Sequence, residues 1–359
     1  MRKEILLAHF PKITVKRYQQ LLTAFSSVDK IWKAEFDDLK KAGFEDELTH
    51  EFLSWRKHLD VEKIEKILDQ EKIHCITTDE KEYPELLKQI YDPPICLFIR
   101  GNLTHAHFNL AVVGTRKFTQ YGKQVTEELV SELARHGVTI VSGLAFGIDS
   151  IAHHAAIAAH GNTIAVLGSG INKRHIYPSA HMELSERIID KGGAIISEYP
   201  PGTLPNKYTF PRRNRIIAGI SLGTLVIEAA EKSGALITAE CTLENGREIF
   251  AIPQNITSIT STGVNNLIKS GAKLITCAED IIDSLDLQDI AHYVTNTEIL
   301  PDSPSEAQLL QILTREPIHV DAMAKRSNLS SREISATLVL MEMKGKVKNV
   351  GNMMYVVAR

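Results

Sequence analysis

Six short runs of nearly unbroken apolar and β-branched residues constrain this chain more tightly than any other feature. They lie at 110–113, 139–141, 163–167, 194–197, 224–227 and 249–252. A strand that is apolar on both faces has to be covered on both faces, which is the condition of a strand inside a parallel sheet. Between the runs, apolar residues recur at helical spacing over 122–136, 149–160, 180–191, 213–220 and 235–245. Strand and helix alternating in this way predict a parallel sheet wound with helices on both sides, an α/β Rossmann-like core. Such sheets hold their ligands beyond the carboxyl ends of the strands, where strand order reverses.

The flanks have a different texture. At 359 residues the chain is long enough for two or three domains. Residues 1–73 read as a helical domain, with apolar positions at helical spacing over 18–25, 31–39, 48–59 and 61–68. The core then occupies 74–285. A polar stretch over 286–305, ending in Pro301-Asp302-Ser303-Pro304, reads as a linker. Residues 306–359 read as a winged helix, with helices over 306–314 and 319–325. Ser330 and Glu333 form a capping box for a third helix through Met343. The runs 346–350 and 353–357, around Gly351-Asn352, supply the wing. Lys325, Arg326, Arg332, Lys344, Lys346 and Lys348 make this end locally basic, which suits duplex DNA and a protein partner equally.

Bulk charge names no partner. The net charge of -3 creates no global positive field, so a polyanion has to be met by a local patch. Four cysteines without a CxxC pair fit a reducing compartment. The opening MRKEILLAHFPKI has its apolar run broken by His9 and Pro11, too early for a signal peptide. No run reaches the roughly 18 apolar residues of a membrane span. A cytoplasmic protein is expected.

The loops after the strands carry the chemistry. Gly114-Thr115-Arg116-Lys117 follows the first strand, with Gly122 opening the next helix. Ser142-Gly143 begins a loop that runs through Phe146 and Gly147 to Asp149. Gly168-Ser169-Gly170 follows the third strand, with Lys173 and Arg174 close behind. Glycine lets backbone approach a phosphate, a helix N-terminus offers free N–H groups, and arginine adds a forked charge. The competing reading is that these glycines only permit tight turns. Asp149 reads as a helix N-cap. The densest feature is Phe210-Pro211-Arg212-Arg213-Asn214-Arg215. Pro211 favours helix entry, and cations at a helix start oppose the macrodipole unless an anion lies among them. Phe210 offers a face to an unpaired base, worth about 1–3 kcal/mol. The competing reading is an internal ion network to Glu198, Glu228 or Glu231.

Several familiar sites are missing. There is no G-x-G-x-x-G dinucleotide loop, no P-loop lysine, no HExxH and no nucleophile elbow. His153-His154, on an alanine-rich helix, reads as core or surface rather than metal site. The alternative to a binding protein is a nucleotide-binding Rossmann-like enzyme of the ribohydrolase type. Glu228 is its one candidate carboxylate, in a Leu222–Glu228 segment that holds only a fragment of the required loop. A purely structural interaction protein explains neither the arginine cluster nor the glycine loops.

The blocks VVGTRK…YG, IVSGLAFGIDSIAH, TIAVLGSGI…IYP, GGAIISEYPPGT, FPRRNRIIAGIS, LVIEAAEKSGALITA, GREIFAIP and GVNNLI resemble the DprA/Smf family throughout and in order, over about 74–282. The resemblance implies an extended Rossmann-like core that is not an enzyme and needs no cofactor. Such a core dimerises, binds single-stranded DNA and helps load RecA in natural transformation. Carried over by position, the DNA-facing pocket comprises Gly114 to Lys117, Ser142, Gly143, Gly168 to Gly170, and Phe210 with Arg212 to Arg215. Two positions depart from the family pattern: Gln254 follows Pro253 where glycine is usual, and Ser179 follows Tyr177-Pro178 where a basic residue is usual. Lys173 and Arg174 are expected to supply that missing charge.

Overall fold

All six expected strands form, each within one residue of its expected bounds. A computed structural model describes residues 1–103, 108–287, 303–313, 318–327, 329–343, 346–351 and 353–357. In chain order the strands of the large sheet are β1 (His74–Thr77), β2 (Cys96–Gly101), β3 (Asn109–Val113), β4 (Thr139–Ser142), β5 (Thr163–Val166), β6 (Ala194–Ser197), β7 (Gly223–Val226), β8 (Glu248–Ala251) and β9 (Lys273–Leu274). Their spatial order is β1-β2-β6-β5-β4-β3-β7-β8-β9. From β6 to β9 every pair is parallel, whereas β2 runs antiparallel to β6, and β1 to β2. The chain winds outward from β3 through β6, then returns to β7 on the other side. Strand order therefore reverses between β3 and β7.

β1, β2 and β9 extend the sheet beyond the six expected strands. β1 is short and of mixed polarity, and β9 has two exposed residues, so neither leaves an apolar run. The N-terminal region forms six helices. The stretch expected as one helix over 31–39 is two, Val28–Lys33 and Phe36–Lys41. Arg56 enters the break, where its Nη1 donates to Trp32 O at 2.5 Å and Ala34 O at 2.8 Å. These helices enclose their own core of Leu7, Leu21, Ile31, Leu39 and Phe52. Ile5, Leu68 and Ile73 pack instead with Phe98, Leu167 and Ile195 of the sheet. Residues 1–288 form one compact unit and 289–359 another.

The arginine-bearing helix spans Thr209–Gly219, four residues earlier than expected. Asn206 forms the turn before it, its Oδ1 accepting the Tyr208 and Thr209 N–H groups at 2.9 and 3.1 Å. Pro211 falls in the first turn, where a missing N–H costs nothing. Arg212, Arg213 and Arg215 consequently sit past the first turn, where the macrodipole no longer opposes a cation strongly. The helix macrodipole therefore no longer argues for an anion among them.

His153 is a core residue. Its ring is fully buried, with Nδ1 at 2.7 Å from Thr163 Oγ1, which itself donates to Ile140 O at 2.7 Å. Burial pushes its pKa down to about 3. The unfolded chain binds a proton there near pH 6.5 while the folded chain does not, so folding stability falls as pH drops below 6.5. The loss should reach about 2 kcal/mol by pH 5. Urea melts of the wild type and His153→Gln over pH 5–8 check this, and an unchanged pH dependence in the variant would exclude His153 as the cause.

The second unit is a winged helix. Helices Pro304–Ile312, Val320–Arg326 and Ser331–Met343 accompany a sheet of order β10-β12-β11, with β10 (Ile318–His319), β11 (Val347–Gly351) and β12 (Met354–Val357). Leu309, Met323, Ile334, Leu338, Met341 and Tyr355 form its core. The capping box is present: Ser330 N–H reaches Glu333 Oε2 at 3.0 Å and Glu333 N–H reaches Ser330 Oγ at 3.3 Å. The first helix begins at Pro304 with Ser303 as its cap, inside the stretch expected as linker. The rest of that linker from residue 288 to 302 lies outside the described residues, as do Thr314, Lys344 and Asn352. Lys346 is half-buried and holds Glu306 at 2.6 Å.

Candidate functional site

The loops after β3, β4 and β5 pack on one another, and their glycines make this close packing possible. A Cβ on Gly147, whose φ is +86°, would lie 2.3 Å from Thr115 O and 2.7 Å from Arg116 Cα. A Cβ on Gly143 would strike the Arg213 guanidinium at 2.6 Å. Close backbone approach is thus required, but the backbone meets its own chain. The turn-making reading of the glycines accounts for these two.

Arg213 lies at the centre. It is buried, and its Nη1 donates to Gly143 O at 2.7 Å and to Val166 O, joining the ends of β4 and β5. Asp149 holds the other side of the same loop: its Oδ2 accepts Gly143 N–H at 3.1 Å and Ala145 N–H at 3.4 Å. Asp149 is the second residue of the Ile148–Ala158 helix, and its cap is Gly147, so the expected N-cap role goes to a neighbour. Burial lowers the Arg213 pKa to about 10 against the opposing pull of Asp149. Burial likewise raises the Asp149 pKa, with Arg213 opposing. Each charge is tolerated because the other is near.

Arg215 is also committed internally, with Nε 2.9 Å from Asp92 and Nη2 2.6 Å from Glu198. Arg213 and Arg215, both expected to face an outside ligand, are buried and paired within the chain in this structure. The ion network through Glu198 applies to Arg215 and touches Arg212, whose Nε lies 3.5 Å from Glu198. Asn214 accepts from Arg213 Nε at 3.1 Å and donates to Gly234 O at 3.3 Å. Ser142 and Ser169 are buried too, donating to Val112 O at 2.6 Å and His175 O at 3.0 Å. Gly168 and Gly170 are buried beneath Phe210 and Pro200.

What faces outward is a smaller set. Arg116, Lys117 and Arg174 are exposed and make no ion pair among the described residues. Arg212 is about a third exposed, and Phe210 half-buried. Lys173 is exposed but paired with Glu186 at 3.1 Å, beside the Arg100–Glu186 bridge. Of the two residues expected to replace the basic group missing at Ser179, Arg174 is therefore the unpaired one.

Aromatic rings accompany these cations. Phe118, Phe146 and Tyr177 are 43%, 49% and 47% exposed. Phe146 stacks edgewise on His181 at 4.8 Å, and Tyr177 lies beside Phe210 at 5.5 Å. These rings stand on the same set of loops as the exposed cations. Of these rings only Phe210 stands out in the sequence. Nothing in the local sequence separates an outward Phe146 or Tyr177 from a core aromatic.

Glu228 is fully buried and spends its carboxylate on Thr119, whose N–H and hydroxyl it accepts at 2.9 and 2.5 Å. Gln254 takes up the departure after β8, its Nε2 donating to Ile227 O at 3.0 Å while its N–H meets Asn265 Oδ1 at 3.2 Å. Among the described residues no three His, Cys, Asp or Glu side chains are placed to hold a metal, and no helix is long and apolar enough to cross a membrane.

Known proteins resemble this chain over most of its length. The family described as DNA recombination-mediator protein A matches residues 74–286, and the DprA winged helix domain matches 295–352. Protein Smf of Escherichia coli (strain K12) is 42% identical over 290 residues, spanning 79% of this chain and 77% of its own. The X-ray structure of DNA processing protein A (DprA) from Streptococcus pneumoniae superposes with a TM-score of 0.68. It is 35% identical, over 79% of this chain and 98% of the other. A structure concerned with the single-stranded DNA binding mode of DNA processing protein A from Helicobacter pylori gives 0.54 at 30% identity, over 61% and 97%.

Proposed function

The chain belongs to the DNA recombination-mediator protein A family, DprA/Smf, and we propose that it binds single-stranded DNA in the cytoplasm as a homodimer and delivers it to RecA in natural transformation. In this reading it does so without catalysis and without a cofactor. The observation that carries it is the pairing of exposed rings with unpaired cations. Phe118, Phe146 and Tyr177 share the loops after β3, β4 and β5 with Arg116, Lys117 and Arg174. Rings stack on bases that a duplex hides, and the cations meet phosphates at any sequence. The H. pylori relative's single-strand binding supports the same assignment. The ribohydrolase alternative is disfavoured because Glu228, its candidate carboxylate, is buried and hydrogen-bonded to Thr119.

Roles then divide along the chain. The 74–285 core binds the strand, residues 1–73 act as a packing or interaction module, and 306–359 docks a partner. In the winged helix Arg332 and Ala336 are exposed along with Val339 (51%) and Leu340 (53%). That apolar surface favours a protein over duplex DNA as the partner. The test is a gel shift with single-stranded and duplex oligonucleotides at one ionic strength. Full-length protein and a chain ending at Leu287 should both prefer the single strand. If the shortened chain loses the strand while residues 303–359 alone retain it, the principal site is in the other unit.

A further inference from the structure

Doubly wound sheets take their ligand where strand order reverses, and here that crevice lies between β3 and β7. The 16-residue helix Gln120–Arg135 begins at its mouth. The N-terminus of such a helix attracts an anion, through unpaired N–H groups and the macrodipole. In this protein an anion is already there, and it belongs to the chain. Glu228, just past β7, accepts the Thr119 N–H at 2.9 Å, the Thr119 hydroxyl at 2.5 Å and the Thr260 hydroxyl at 3.4 Å. Thr119 Oγ1 in turn accepts the Gly122 N–H at 3.1 Å as the helix cap. The carboxylate lies so close over the first turn that a Cβ on Gly122 would come within 2.4 Å of it. The main-chain oxygen of Glu228 also accepts the Thr115 N–H at 2.8 Å. One residue thus holds positions 115 and 119, the two ends of the loop that carries Arg116 and Lys117.

We propose that Glu228 is the specificity-determining residue of this fold. Its carboxylate stands where the phosphate of a free mononucleotide would bind, so the crevice is closed to small phosphate esters. By the same bonds it fixes the loop that offers Arg116 and Lys117 to the phosphates of a strand passing outside. The second part rests on the single-strand reading above; the first does not. Gly122 is part of the same device, since any side chain there would displace the carboxylate.

The experiment compares full-length wild type, Glu228→Gln and Glu228→Ala, titrated with inorganic phosphate at constant ionic strength and, separately, with a labelled oligo-dT. Wild type and Glu228→Gln, in which the crevice stays filled, should show no stabilisation by phosphate. Glu228→Ala opens the position, and its Tm should rise by about 3 °C at about 10 mM phosphate, as for a Kd near 1 mM. Its oligo-dT affinity should fall about tenfold as the loop slackens, against at most about threefold for Glu228→Gln. Glu228→Ser, which leaves a hydroxyl for Thr119, serves for both arms should the alanine variant unfold. No phosphate shift in a folded Ala or Ser variant overturns the anion position. Wild-type oligo-dT affinity in that variant overturns the hold on the loop. If wild type itself ignores oligo-dT, the single-strand reading has failed, and the phosphate arm alone decides the role of Glu228.

Discussion

Arg213→Ala should make the 1–288 unit easier to unfold by about 3–5 kcal/mol, far more than alanine at the more exposed Arg116 or Arg212. The guanidinium is buried and joins Gly143 O to Val166 O across the ends of β4 and β5. Its removal leaves those carbonyls without the donor and leaves the Asp149 carboxylate buried without its compensating cation. Arg213→Met keeps the volume but not the charge, so it should lose nearly as much. Adding Asp149→Asn removes the uncompensated carboxylate, and the double variant should recover part of the loss. Urea unfolding of the four proteins checks this. A midpoint within error of wild type for Arg213→Ala would show that the clamp contributes little. Weakened DNA binding by an Arg213 variant therefore reports on the fold before it reports on a DNA interface.

Arg116→Ala should do the opposite, lowering single-strand affinity while leaving the melt unchanged. Arg116 is exposed and makes no ion pair among the described residues, so its loss should change stability by less than about 0.5 kcal/mol. A charge-assisted hydrogen bond to phosphate is worth about 1.5–3 kcal/mol, which corresponds to a roughly 10- to 100-fold weaker Kd. The dependence of log K on log salt should also become shallower, by about 0.7 for each phosphate no longer neutralised. Adding Arg174→Ala should reduce the slope again. Fluorescence anisotropy with oligo-dT between about 50 and 300 mM salt measures both quantities. An unchanged affinity and slope in a folded double variant would place the strand away from these loops.

The two substitutions differ although both residues look alike in the sequence. Each is an arginine in or beside a glycine-bearing loop or helix start, and each reads there as facing DNA. The fold buries one across the ends of β4 and β5 and leaves the other exposed. Burial depends on what lies across the loop. For Arg213 that is Gly143, 70 positions away, and for Arg215 it is Asp92, 123 positions away. Phe146 and Tyr177 are inconspicuous in the sequence for the same reason, since exposure is a property of neighbours distant in the chain.

By itself the sequence determined the six central strands, the helices between them, the winged helix with its Ser330–Glu333 box, and the family. Those features are written in local periodicity, in caps three residues apart and in motifs of contiguous residues, each legible without knowing the rest of the fold. Only the tertiary structure decided that β1 and β2 extend the sheet by antiparallel pairing, that the arginine helix starts at Thr209, and that Glu228 closes the switch crevice. It also decided which of Arg116, Arg212, Arg213 and Arg215 remain free. These outcomes turn on desolvation and on partners far away in sequence: a buried charge stays buried only if the folded chain brings its counter-charge or its hydrogen-bond acceptors to meet it.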